Sequence, residues 1–493
     1  MNFKNIIEQI NRDNVNNKQR ILDDTQLYLI YHGELRKQVE NIIYSEFKEP
    51  KTIIQLKNRI CPINFTKKIV DKLGKVYKSN PVRLSAIKDE SDDELISMYE
   101  KSFNANVQMS YANKMFKLNK HVLVVPYLDE EQVPRLRIIP SHAFSLFSDS
   151  KINPEKPTKI LIHIKTEGND DSKKRYELWT KDNFYIIDGN GEIVADEMAA
   201  INNLDGINPF EIIPHTHITQ QRDLLYPIRS SDIKSVQLII CLLLSDTSLA
   251  QKYLSWGTLV VAGGDGEQEV SVGPGCVINL PQTADGKIPD VKYLQPQLNS
   301  DEVIRLVEKQ LDFLLATNNI SMSSLSGQLT AQSSASGVSK MFDQAESTED
   351  IDEQRKYFQD AEKEIWNKFA NYMLPNWIKT NQVNSDYVGS FSPEFELSIT
   401  FPEIKPMLSD AERIANAKSK LDAGFTTLKR AIQEVNPDLN SEEINDLIVE
   451  INKEKVESVK FFQRNIQDVS NNQEQIPEEN NMEENNGNKT SEA

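Results

Sequence analysis

The spacing of apolar residues changes several times along the chain, and each change marks an element. Over 24–47, Leu27, Ile30, Tyr31, Leu35, Val39, Ile42 and Ile43 recur at helical spacing, with Gly33 as an interruption. Phe65, Ile69, Leu73, Val76 and Tyr77 predict an amphipathic helix over 64–77, stopped by Ser79-Asn80-Pro81. Leu95, Ile96, Tyr99, Phe103 and Val107 predict another over about 92–118. Strand patterns then take over at 121–127, 135–139, 159–165 and 175–187, and Asp188-Gly189-Asn190-Gly191 reads as a turn. These elements predict an α+β body with a mostly antiparallel sheet.

The second half has a different order. Residues 231–254 predict a helix that is apolar on nearly every face, which suits a helix buried on several sides. A Gly- and Pro-rich stretch of short strands follows over 257–295. Ser300 is placed to cap the next helix, with Asp301 and Glu302 in its first turn and Val303, Val307, Leu311 and Leu314 as its stripe. Residues 317–334 are polar and carry no charge. A long helix is expected to run to Met373 with Phe358, Ala361, Ile365 and Phe369 on one face, ended by Pro375. A strand is expected over 395–401. Ser409-Asp410-Ala411-Glu412 reads as a capping box and Gly424 as the stop of that helix. Short helices are expected to Val435 and from near Asn440 to near Val459. Residues 465–493 are rich in Asn and Glu and nearly free of apolar side chains, a disordered composition.

Composition narrows the function. The 493 residues allow two to four domains. A net charge of −18 argues against a protein that grips nucleic acid, because such affinity rests on Lys and Arg neutralising phosphates. Cys61, Cys241 and Cys276 show no close pairing, which favours packed thiols in a reducing compartment. No signal peptide is expected at the N-terminus. The apolar run Leu238 to Leu244 is far short of the ~20 residues a bilayer span needs, so no membrane is expected.

Chemistry-bearing motifs are missing. Gly286-Lys287 is followed by Ile288, and Pro281 stands where a P-loop has glycine. Gly264-Asp265-Gly266 reads as a hairpin turn. His215-Thr216-His217 puts two imidazoles on one face of a strand, with no Cys, Asp or Glu cluster beside them in sequence. Neither Gly-x-Ser-x-Gly nor His-Glu-x-x-His occurs. The acid-rich runs at 89–94 and 349–353 read as solvated or inter-subunit faces, and Lys173-Lys174-Arg175 as an exposed loop. No catalytic residue, metal or cofactor is expected.

Several stretches in order resemble the portal proteins of long-tailed bacteriophages, the head-to-tail connector family. They are Asn64-Phe65 to Val70 with Lys75-Val76-Tyr77 and Asn80-Pro81-Val82; Asn119 to Tyr127 with Leu136-Arg137-Ile138-Ile139-Pro140; and Asn208-Pro209-Phe210-Glu211-Ile212-Ile213-Pro214. Ser336-Gly337-Val338, Phe401-Pro402-Glu403 and Leu421-Asp422-Ala423-Gly424 continue the order. The resemblance implies an α/β wing body over 1–228, stem helices over 229–254 and 300–316, and a β-rich clip over 255–299. It further implies a tunnel loop over 317–334, a long wing helix and strand over 335–408, and a helical crown over 409–464, with the acidic tail 465–493 unassigned. Asn318, Asn319, Ser321, Ser323, Ser324, Ser326, Gln328, Thr330, Gln332 and Ser333 would line the channel. Leu238, Leu242 and Leu249 would pack between neighbouring stems.

The implied assembly is a dodecameric ring at one capsid vertex of the virion, formed in the host cytoplasm, through which double-stranded DNA enters and leaves. Implied partners are the terminase large subunit, a head–tail adaptor, and the major capsid and scaffolding proteins. The rival readings are another head–tail adaptor or minor capsid protein, and a polynucleotide-modifying enzyme.

Overall fold

A computed structural model describes residues 18–149, 156–164, 173–220 except 202, 224–227, 232–262 except 257, 290–294, 299–320 except 319, 337–402, 410–436 and 443–453 except 452. The chain divides into two units, residues 1–334 with 341–404 and residues 335–340 with 405–493.

The first unit opens with helices α1 (18–31), α2 (Leu35–Glu46), α3 (Pro50–Lys57) and α4 (Phe65–Leu73). The expected interruption between α1 and α2 is real: Gly33 sits at φ +102°, where a side chain would be strained. Asn64 caps α4 by accepting from the Lys67 N–H. Strand β1 (Val82–Ser85) leads to α5 (Glu90–Phe103) and α6 (Ala105–Asn119). These two were expected as one helix. Asn104 breaks them by adopting φ 48°, a left-handed conformation that Asn tolerates better than most residues.

Three antiparallel sheets build the body. β2 (His121–Leu128) is central between β3 (Pro134–Pro140) and β8 (Thr216–Thr219). Its first six residues are all buried, as expected of a strand covered on both faces. β4 (Phe144–Phe147), β5 (Lys159–Ile164), β6 (Arg175–Thr180) and β7 (Phe184–Asp188) pair in sequence order, so the run expected over 175–187 is a hairpin. The short helix α7 (Ala195–Ala200) packs on β7 through Met198. Strand β11 (Leu397–Thr400) pairs with β1, Val82 opposite Thr400 and Ser85 opposite Leu397.

The long helix Gly337–Lys368 closes the core. Phe358, Ile365, Trp366 and Phe369 are buried with Tyr99, Phe103, Phe116 and Phe391. The rings of Phe103 and Tyr99 meet Phe369 edge-on at 4.9 and 4.8 Å. Pro375 does not end this helix, contrary to expectation. A π-turn at Phe369–Met373 precedes a further helix, Leu374–Lys379. The wider turn absorbs the missing proline N–H and the ring's clash with the preceding turn.

Buried charge ties the long helix to the body. Arg83 reaches Glu362 through Nε at 2.6 Å and Nη2 at 2.9 Å, and Glu100 through Nη1 at 2.7 Å. The Tyr77 hydroxyl donates to Glu362 at 2.5 Å, and burial with the adjacent carboxylate pushes its pKa well up.

In the second unit, helix Asp410–Asp422 ends at Gly424 (φ +76°), with the Gly424 and Phe425 N–H groups returning to Leu421 and Lys420 carbonyls. Thr427 caps helix Leu428–Val435, and Lys420 pairs with Glu434 at 2.6 Å. A further helical stretch covers 443–451.

Candidate functional site

The part of the body that its own core explains least is a helix–hairpin–helix. Helix α8 (Asp232–Trp256) runs into β9 (Thr258–Ala262), which pairs antiparallel with β10 (Asp290–Leu294), and α9 (Ser300–Ala316) returns. Gln251 near the end of α8 donates to Ser300 at the start of α9 (3.2 Å), and Ile240 packs with Leu311, Leu314 and Leu315. The two helices are therefore antiparallel. Asn299, not the expected Ser300, caps α9 by accepting from the Glu302 N–H.

α8 is held on two sides within the chain. Ile233, Val236, Ile240 and Leu244 join Ile69 and Leu73 of α4 and the buried stripe of α9. Leu238, Cys241, Leu242 and Leu249 join Ile30, Leu35, Val39, Ile43 and Leu56 from α1 to α3, and Ile60 just after α3. So the leucines expected to face neighbouring stems are half-covered by their own chain.

A series of polar contacts adds direction. Lys234 donates to Asp23 and Gln26. Buried Gln237 accepts from the Thr66 N–H (2.9 Å) and donates to the Ile63 carbonyl (2.8 Å). Ser245 accepts from the Cys61 N–H (3.3 Å), and Arg59 donates to the Ser248 carbonyl. Burial pushes the Cys241 thiol pKa up, which keeps it protonated and unreactive. By length and composition Asp232–Gln251 could cross a membrane, and 22 % of that stretch is buried within the chain.

What remains uncovered lies mostly on α9. Phe313 is 67 % exposed, Ile304 49 % and Leu306 47 %, with Ile239 of α8 at 43 %. Leu306 and Phe313 are seven residues apart and share one face. Sequence reasoning missed this second stripe because the buried one, Val303 to Leu314, satisfied the helical pattern. Past α9 the chain is pinned: Thr317 and Asn318 donate to the Leu314 carbonyl, the Ile320 N–H reaches Leu315, and Ile320 is buried beside Leu73 and Leu315. Asn318 is thus a capping residue. Asn319, Ser321, Ser323, Ser324, Ser326, Gln328, Thr330, Gln332 and Ser333 lie outside the described residues, as do most of the 255–299 segment and the acidic tail.

The other sequence features have ordinary partners. His217 meets His121 at 3.3 Å, and no group of three or more His, Cys, Asp or Glu suited to a metal occurs among the described residues. His215 lines a cleft of ≈ 460 Å³ with Lys368, Glu364 and Asp360. Burial, then the Lys368 charge, lowers its pKa to about 3, so it is neutral. Arg175 pairs with Glu197, Asp350 with Lys117 and Asp352 with Arg355.

The description "Phage portal protein, SPP1 Gp6-like" belongs to the family that matches residues 8–486. Among curated proteins none matches. Two solved structures are similar at 11 % identity and a TM-score of 0.36. One is the neck of an empty GTA particle, covering 78 % of this chain and 92 % of that one. The other is the virion of a native gene transfer agent particle, covering 81 % and 98 %. At that TM-score the likeness carries no further conclusion.

Proposed function

This chain belongs to the phage portal protein family, and from that membership we propose that its copies form a ring at one capsid vertex, the channel through which viral DNA enters and leaves. The family match over 8–486 carries this reading. In it, α8 and α9 are the stem, the segment around β9 and β10 is the clip, and 317–334 is the loop that meets DNA. Residues 409–464 form the crown. The terminase large subunit and a head–tail adaptor dock on the clip, and the body meets capsid and scaffolding proteins. The subunit has no reaction of its own; ATP hydrolysis belongs to the docked motor.

The stem geometry supports the assembly. A lone subunit leaves Ile304, Leu306 and Phe313 about half or more in water, and covering the rest of each would contribute roughly 1–2 kcal/mol. A neighbour's stem supplies that cover, and Leu238, Leu242 and Leu249 lend the part of their surface their own chain leaves open. An uncharged loop suits loose contact with passing DNA, because it lacks the ammonium groups that would hold phosphate.

Electron micrographs of the purified chain test the reading. Top views should show a ring with a central hole, and a dodecamer by rotational averaging. Monomers alone, at concentrations where portals assemble, would overturn it.

A further inference from the structure

Charge is unevenly placed at the end of α4. Lys67, Lys68, Lys72, Lys75 and Lys78 crowd one short stretch of a chain whose net charge is −18. Asp71 is the one acid among them, and it is taken: Lys114 pairs with it at 3.0 Å and the Tyr31 hydroxyl donates to it at 2.8 Å. The five lysines themselves make no ion pair among the described residues. Lys72 and Lys75 are half-buried. Burial first, and then the charges of their lysine neighbours, lower both their pKa values. Like charges gathered without counter-charge destabilise the fold unless an anion relieves them.

The backbone beneath them is fixed. The Gly74 N–H returns to the Val70 carbonyl (2.8 Å), and the Val76 N–H donates to Asn113 of α6 (3.1 Å). Tyr77 is anchored on Glu362. Gly74 permits the fit against α6, since a Cβ there would lie 3.1 Å from the Lys114 Cα. Leu73 packs with Leu315 and Ile320, so the lysines border the point where the chain enters the polar loop. That loop, 321–336, contains no acidic residue to neutralise them.

We propose that Lys72, Lys75 and Lys78, flanked by Lys67 and Lys68, contact the phosphate backbone of the duplex DNA passing through the ring, at the base of the polar loop. The inference rests on the portal reading. Two observations favour DNA over an acidic protein surface. No large apolar side chain is exposed within the lysine run 67–78 itself, and the exposed Ile63 and Val82 lie outside it, whereas a protein interface has an apolar anchor at its centre. All five cations are lysines, point charges that hold phosphate without the planar geometry that reads a base edge. The surface would bind DNA without regard to sequence and let it move.

The test uses the full chain and a labelled duplex of about 30 base pairs, with anisotropy followed across a salt series. Lys72→Gln/Lys75→Gln/Lys78→Gln should weaken binding by about tenfold or more at low salt. It should also flatten the slope of log K against log[salt] by about 2–3, close to one unit per lost phosphate contact. The matching triple Arg variant should restore both. Unchanged affinity and slope in the Gln variant overturn the proposal. Rings that fall apart in the Gln variant while the slope is unchanged also overturn it, and assign the lysines to a neighbouring subunit. Mass photometry of the wild-type chain is read separately: failure to form rings sinks the portal reading itself, whatever the anisotropy shows.

Discussion

Trp366 and Phe369 in the body are 2 % and 0 % exposed, whereas Phe313 on α9 is 67 % exposed. The same contrast holds for charge. Arg83 and Glu362 are buried against each other, while the lysines at 67–78 have no partner among the described residues. The aromatic core of the body is closed by its own chain, although single apolar side chains such as Leu204 (70 % exposed) and Val107 (59 % exposed) remain at its surface. The region around α8, α9 and the end of α4 keeps apolar and cationic groups waiting for something outside it. In a ring subunit that division is the expected one, because stability within the chain and association between chains then rest on separate side chains.

The comparison can be broken first at the body core. Trp366→Ala should cost about 3–5 kcal/mol in urea unfolding, from lost transfer energy and the cavity left behind. A cost below about 1 kcal/mol would show that the body is not closed there. Glu362→Ala should cost up to a similar ~3–5 kcal/mol by stripping the buried Nε and Nη2 of Arg83 of their carboxylate, while Nη1 keeps Glu100 and Asn106. Arg83→Met with Glu362→Leu should cost clearly less, which separates the penalty of an orphan charge from the worth of the pair.

A paired experiment on the stem sharpens the contrast. Leu306→Ser with Phe313→Ser should abolish rings in light scattering and leave subunit melting nearly unchanged. Leu242→Asp should instead lower the melting point of the subunit itself, because Leu242 packs on the cluster of Ile43 and Leu56. Equal melting of the two variants would erase the distinction between the two regions.

Acid should expose a smaller effect. His215 has a folded pKa of about 3, below the unfolded value near 6.5. Its contribution is intact above pH 6.5 and is lost as pH falls from there toward 3, because only the unfolded chain takes the proton. The slope is up to about 1.4 kcal/mol per pH unit, and His215→Gln should remove it from the pH series of unfolding free energies. Smallest is Asn104→Ala, expected to cost about 1 kcal/mol through strain at positive φ, with Asn104→Gly near neutral.

Much of this was legible in the residues. The periodicities located α8, α9, the first part of α4 and the strands β2, β3, β5, β6, β7 and β11, but not β1 or β4, and Gly33 and Gly424 marked real stops. The breaks that escaped notice were conformational. Nothing in the apolar pattern of α5 and α6 distinguishes one helix from two, because Asn104 changes the backbone without changing the period. Pro375 was read as a terminator because the rule concerns α-turns, and a π-turn removes its premise. The pairing of β1 with β11 has no local signal at all. In the stem, the apolar face of α8 was visible in the sequence, but which body covers it was not: α1 to α3 claim Leu238, Leu242 and Leu249 in part, and the exposed pair Leu306 and Phe313 hid behind a stronger stripe. The family resemblance read from ordered motifs agrees with the family that the chain belongs to.

The β1–β11 pairing also sets a timetable. Its two strands are more than 300 residues apart, Ser85 pairing with Leu397, so on the ribosome β1 emerges tens of seconds before its partner at ~5–20 residues per second. During that interval Arg83 has neither Glu362 nor a neighbouring strand, and the early helices must persist without the long helix that seals them. The newborn subunit is consequently at its most vulnerable to premature association while still being translated, and it gains a closed body only when nearly the last fifth of the chain remains to be made.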